Sequence, residues 1–257
     1  MIMSTSDTFL EFISEAVRIV EEAEKKGITL RILGAVAIRL HCPKFRSLFD
    51  AMKRAPTDID LMAYGKDRPL LRSFFTEIGF VPDDRVITLH GYRRHIYRQK
   101  EKGIMVDVFF DALEFCHTIK FLGRLELDTP TATLADLLLS KMQIVRLNEK
   151  DVKDVIIMFM EHDVGETDEE TINAAYIARI LSDDWGFYHT FTTNMNKVME
   201  FLKEFMPLKE GERAEVLAKM NKVMNMIEDY PKTLKWKLRA KIGTSRKWYN
   251  DVDEYIR

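Results

Sequence analysis

Apolar residues in this chain repeat in two ways, and the change from one to the other constrains the fold most. Up to about Gly165, short β-branched and aromatic runs alternate with stretches of helical period. Beyond Gly165, every periodic stretch has the helical period. With 257 residues, the chain is long enough to bury a sizeable core without staples. The pattern predicts an α+β fold, with a mixed sheet flanked by helices over residues 1–165 and an all-helical domain over 166–257.

Thr8 to Lys26 predicts an amphipathic helix, with Phe9, Phe12, Ile13, Ala16, Ile19, Val20 and Ala23 on one stripe and Gly27 as its stop. Leu30–Leu33 predicts a strand ending at Gly34, and Ala35–Leu40 a helix leaving that glycine. Ile59–Tyr64 predicts a second strand and Pro69–Ile78 a helix. Arg85–Leu89, Arg94–Lys100 and Ile104–Phe110 predict three more strands, the last two joined by a turn at Glu101–Gly103. Thr133-x-x-Asp136 and Thr167-x-x-Glu170 read as capping boxes, the first opening a helix to Leu147 and the second a helix through Leu181. Lys150–Glu161, Asn194–Phe205, Glu210–Ile227 and Lys232–Ile242 also have helical period.

Three aspartates sit where strands predict apolar residues. Asp58 and Asp60 are two apart, so in a strand they share one face while Ile59 and Leu61 take the other. Two carboxylates that close repel unless a divalent cation lies between them, and hard oxygen donors suit Mg²⁺ or Mn²⁺. Asp107 is the lone charge in Ile104-Met105-Val106-Asp107-Val108-Phe109-Phe110. An unpaired buried carboxylate is costly, and a metal shared with Asp58 and Asp60 would answer it. The bland alternative is that Asp58 caps the strand and Asp107 faces solvent. Gly34, between a strand and a helix, permits close approach of a phosphate to the helix N-terminus.

Leu33-Gly34-Ala35, Thr57-Asp58-Ile59-Asp60-Leu61 and Val106-Asp107-Val108 together resemble the DNA polymerase β-like nucleotidyltransferase superfamily. Leu134 to Lys141, Arg146 and Lys150-Asp151-Val152-Lys153-Asp154-Val155 resemble the bacterial abortive-infection nucleotidyltransferases, some of which act as toxins beside an antitoxin. The resemblance covers roughly residues 28 to 160. It implies transfer of a nucleoside monophosphate from a nucleoside triphosphate to an acceptor hydroxyl on a small molecule, a protein or RNA. Asp58, Asp60 and Asp107 would be the catalytic and metal-binding residues, and Gly34, Ala35, Lys141 and Asp154 would bind nucleotide. Asp151 and Asp154 could orient Lys141; a surface lysine and a helix-dipole complement are the plainer readings. Two departures stand out. Ala35 replaces the second Gly or Ser of the turn, and the gap from Gly34 to Asp58 is long, with Lys44, Arg46, Lys53 and Arg54 inside it. A non-catalytic nucleotide-binding module on the same fold is the first alternative.

Lys plus Arg is 39 and Asp plus Glu 41, a net charge of −2 that excludes coating of nucleic acid or membrane by bulk charge. Residues 232–247 nonetheless hold seven cations and no acid, with Trp236 and Trp248 beside them, which makes a nucleic-acid-binding interaction protein the second alternative. The plainer reading packs Trp236, Leu238 and Ile242 inward. No apolar run approaches bilayer length, so no membrane partner is expected. The N-terminus lacks an export pattern, and two cysteines make no disulfide framework, so a cytoplasmic setting is expected. His41-Cys42 and Cys116-His117 are adjacent pairs rather than spaced ones, which argues against zinc.

Overall fold

A computed structural model describes residues 5–45, 48, 57–205 and 208–252. The chain divides into two compact units, Met1–Leu113 with Lys120–Thr133, and Glu114–Ile119 with Leu134–Arg257.

The first unit holds α1 (Thr5–Lys25), β1 (Leu30–Ile32), α2 (Gly34–His41), β2 (Ile59–Ala63), α3 (Arg68–Glu77), β3 (Val81–Pro82), α4 (Asp84–His90), β4 (Arg94–Gln99) and β5 (Ile104–Phe110). Its five-stranded sheet runs β1-β2-β5-β4-β3. β2 and β5 are parallel and the other pairs antiparallel, so the sheet is mixed. The parallel pair needs a crossover, and α3, α4 and the β4 hairpin arm supply it. α1 buries Phe9, Phe12, Ala16, Ile19, Val20 and Ala23, the stripe its period predicts. One sheet face is apolar: Ile59, Leu61, Val106 and Val108 are fully buried, and Phe75 of α3 stacks on Tyr97 of β4 with ring centroids 4.0 Å apart. By strand alternation, the opposite face carries Asp60, Asp107, Ile96 and Arg94.

Arg85–Leu89, expected as a strand, is instead the middle of α4. Its β-branched residues favour a strand, but the Asp83 side chain accepts from the Val86 backbone N–H and starts a helix.

The chain leaves the first unit along β6 (Ala112–Glu114) and returns along β7 (Thr118–Lys120), a two-stranded ribbon. The second unit then comprises α5 (Leu134–Met142), α6 (Glu149–Glu161), β8 (Asp163–Gly165), β9 (Thr171–Asn173), α7 (Ala174–Leu181), α8 (Trp185–Lys203), α9 (Glu210–Asp229) and α10 (Leu234–Ile242). The division falls at Thr133 rather than near Gly165, because α5 and α6 pack against α7, α8 and α9. α5 is buried on nearly every side, from Leu134 through Met142. The second unit is not all-helical, since β8 and β9 pair in parallel. Nor does Thr167-x-x-Glu170 open a helix. Thr171 donates its hydroxyl to the Thr167 carbonyl at 2.7 Å, and α7 starts later, where Asn173 accepts from the Tyr176 N–H at 2.9 Å.

Candidate functional site

Register puts the carboxylates of Asp60 and Asp107 on one face. Asp60 and Asp107 are directly paired across the parallel strands β2 and β5, so their side chains leave the same face of the sheet. Asp58, two residues before Asp60, lies on that side as well, and its charge acts on Asp107. The Thr57 hydroxyl donates to Asp58 Oδ1 at 3.1 Å. Asp58 and Asp60 are half-buried, whereas Asp107 is 3% exposed.

Gly34 opens α2 directly over Asp60. The Leu33 N–H donates to the Asp60 backbone carbonyl at 2.8 Å, which locks the start of the helix to β2. Gly34 has φ +63°, a backbone conformation that favours glycine, and a Cβ there would meet Asp60 Oδ2 unless that carboxylate moved. Among the described residues no side chain caps α2 and no acid sits in its first turn, and the early N–H donors and the positive end of the helix dipole lie at the end held to Asp60. Ala35 occupies the second position of that turn.

Asp107 has a counter-charge that the sequence reading did not supply. Arg94 Nε donates to its Oδ1 at 2.7 Å and to its Oδ2 at 2.9 Å, and an Arg94 terminal nitrogen closes a second contact with Oδ2. Arg94 is itself buried and lies over the Phe109 ring. Burial pushes the Asp107 carboxyl above its usual range; the Arg94 guanidinium opposes this and the Asp58 charge adds to it. The buried carboxylate has an arginine as its counter-charge. Among the described residues, no group of three His, Cys, Asp or Glu is placed to hold a metal ion.

Lys141 and Asp154 belong to the second unit, while Gly34, Ala35, Asp58, Asp60 and Asp107 belong to the first. Lys141 is buried, with Nζ 2.9 Å from Asp151 Oδ1 and 2.8 Å from Asp154 Oδ2. The spacing of Asp151 and Asp154 on one helix face does orient this lysine, and two carboxylates answer its charge. Asp154 is fully buried, which goes beyond a dipole complement in a first turn. Lys44 is exposed; Arg46, Lys53 and Arg54 lie outside the described residues. The His-Cys pairs have structural partners. His41 Nε2 lies 2.7 Å from Thr131 Oγ1 and 3.1 Å from the Ala132 carbonyl. His117 Nε2 lies 2.8 Å from Thr190 Oγ1, with its ring stacked on Phe187.

No known family model, curated protein or solved structure matches this chain.

Proposed function

We propose that the first unit binds a nucleoside triphosphate with Mg²⁺ or Mn²⁺ and transfers its nucleoside monophosphate to an acceptor hydroxyl. The acceptor would be a small molecule, a protein or RNA. The observation that carries this reading is the register of Asp60 on Asp107, with Asp58 alongside and the Gly34 turn directly above. Hard oxygen donors on one face, next to the backbone N–H groups that open α2, suit a phosphate with its counter-cation. Asp58 and Asp60 would hold the cation. Asp107 joins the set only after Arg94 lets go of it, because the guanidinium takes both its oxygens.

A bound cation would stabilise negative charge on the phosphate oxygens. The N–H groups at the start of α2 would hold the phosphates. In the transfer, the acceptor oxygen forms a bond to the α-phosphorus and pyrophosphate leaves with the broken P–O bond. Asp107, once released by Arg94, would take the acceptor proton. Lys141, to contact nucleotide, would first have to leave Asp151 and Asp154.

The Arg94–Asp107 pair also favours a second reading, a nucleotide-binding module without transfer activity. Thermal melting with each nucleoside triphosphate plus Mg²⁺ tests binding: the native chain should gain stability, and Asp60→Asn should lose the metal-dependent part. Release of pyrophosphate in the presence of acceptor separates the enzyme from the module. If neither nucleotide nor metal shifts the melting temperature, both readings fail.

A further inference from the structure

Helix α10 turns an apolar edge to solvent. Leu234 is 72% exposed, Leu238 54% and Ile242 42%. Spaced four apart, they form a single stripe along the helix. The plainer sequence reading packs Leu238 and Ile242 inward beside Trp236, and the structure corrects it. The helix rests on α8 through other residues. Trp236 meets Tyr188 edge-on at 5.1 Å, and Arg239 lies 4.7 Å over the Trp185 ring while donating to the Gly243 and Arg246 carbonyls.

Cations border the exposed stripe on both sides. At helical spacing, Lys235 falls on one flank and Lys237 with Lys241 on the other, and all three are exposed. No acid occurs between Pro231 and Asn250. Three of the seven cations in 232–247 are engaged within the fold: Arg239, Lys247 with Asp251, and Lys232, which donates to the Glu228 and Tyr230 carbonyls at the end of α9. Lys235 reaches Asp183 at 3.5 Å with both side chains largely exposed, a weak pairing that water and salt readily replace.

We propose that α10 docks on an anionic lipid surface, lying in the headgroup plane with Leu234, Leu238 and Ile242 inserted and the flanking lysines on lipid phosphates. Apolar residues framed by long cationic side chains match such a boundary, because lysine stems can lie along the acyl side while their ammonium groups stay at the phosphates. A nucleic-acid backbone would use the lysines but gain nothing from three exposed aliphatic side chains. The aromatic side chains that would stack on bases are engaged elsewhere: Trp236 on Tyr188, and Trp248 on His189, with its indole N–H donating to Thr190. A second copy of the chain would need a broad complementary face, roughly 800 Å² per partner, and a convex ridge of three side chains offers little of it. A lipid boundary asks for no shape complement. The expectation of no membrane partner rests on net charge and on the length of apolar runs, and neither bears on one helix lying flat. Among the described residues no helix is long and apolar enough to cross a membrane, which leaves surface contact as the mode.

The test is co-sedimentation of the full chain with vesicles of phosphatidylcholine alone and with phosphatidylglycerol added. Binding is expected only with phosphatidylglycerol, weakened by salt. Leu238→Gln and the double variant Lys237→Gln/Lys241→Gln should each weaken it by roughly tenfold or more, with unchanged melting temperature, since all three residues are exposed. Several outcomes overturn the proposal: no vesicle binding, equal binding to both vesicle types, or binding indifferent to Leu238→Gln. RNA binding that the lysine variant weakens and Leu238→Gln spares, without vesicle binding, assigns the face to nucleic acid instead. Self-association lost in Leu238→Gln, without vesicle binding, assigns it to a second copy. None of these outcomes depends on nucleotide chemistry in the first unit.

Discussion

A carboxylate 3% exposed within a five-stranded sheet needs a counter-charge, and at Asp107 two candidates compete for that place. The cation expected from sequence is one; the Arg94 guanidinium is the one the fold provides. Arg94 was within reach of the sequence. Counting back from the Glu101–Gly103 turn puts Ile96 opposite Asp107 and Arg94 two residues further on the same face. What the sequence did not carry is the direction of a long side chain at the end of a strand, which packing on Phe109 helps to fix. Replacing Arg94 by Met should leave a buried charge unpaired and cost about 3–5 kcal/mol in urea unfolding. The double variant Arg94→Met/Asp107→Leu should recover most of that loss, because a buried ion pair and a packed apolar pair differ little. Mg²⁺ should stabilise Arg94→Met more than the native chain, since a cation then meets Asp107 without a competing guanidinium. Equal Mg²⁺ responses would remove Asp107 from the proposed metal set.

Elements with a strong apolar period were readable to within a few residues. α1 and α9 are long enough for the pattern to outweigh local signals, and β5 is an apolar run bounded by a turn. Short elements were decided by single side chains. α4 has seven residues, too few for a periodic signal, and its sequence Asp-Arg-Val-Ile-Thr-Leu-His reads as strand until Asp83 is seen as its cap. α7 likewise begins at its cap Asn173, although a capping box starting six residues earlier, at Thr167, looked as good. The division between units was hidden for a related reason: α5 and α6 carry ordinary helical patterns, and only tertiary packing shows which half they join. If Asp83 decides α4, Asp83→Ala should destabilise the chain by about 1 kcal/mol and speed amide exchange across 84–90. Unchanged exchange there would mean that packing on β4, and not the cap, holds the helix.

Over the whole molecule the charges nearly cancel, 39 against 41, yet the buried titratable groups make stability depend on pH. Of the candidate site residues, Asp107 carries its own cation inside the first unit, and Lys141 carries two acids inside the second. His117, 5% exposed and stacked on Phe187, has no acid in direct contact among the described residues. Burial pushes its pKa down from 6.5 to about 4, with Asp184 opposing more weakly. The unfolded chain takes a proton at His117 once pH falls below about 6.5, and the folded chain refuses it until about 4. Stability from this residue is therefore complete above that range and is lost as pH falls through it, by an amount on the order of 3 kcal/mol. Asp107 works in the opposite sense. Its raised carboxyl lets the folded state keep a proton more readily, so stability from it declines as pH rises, and it softens the acid loss. The two effects separate in a variant that changes only one. His117→Phe keeps a ring against Phe187 and leaves Thr190 its bond from the Trp248 indole N–H, so the fold should survive. The stability gap between the native chain and His117→Phe should then narrow steadily as pH drops from about 6.5 to 4, because Asp107 and every other titrating group contribute alike to both. Unfolding curves that stay parallel across this range would assign the acid sensitivity elsewhere, with His95 and His189, both lowered by burial, the next to replace.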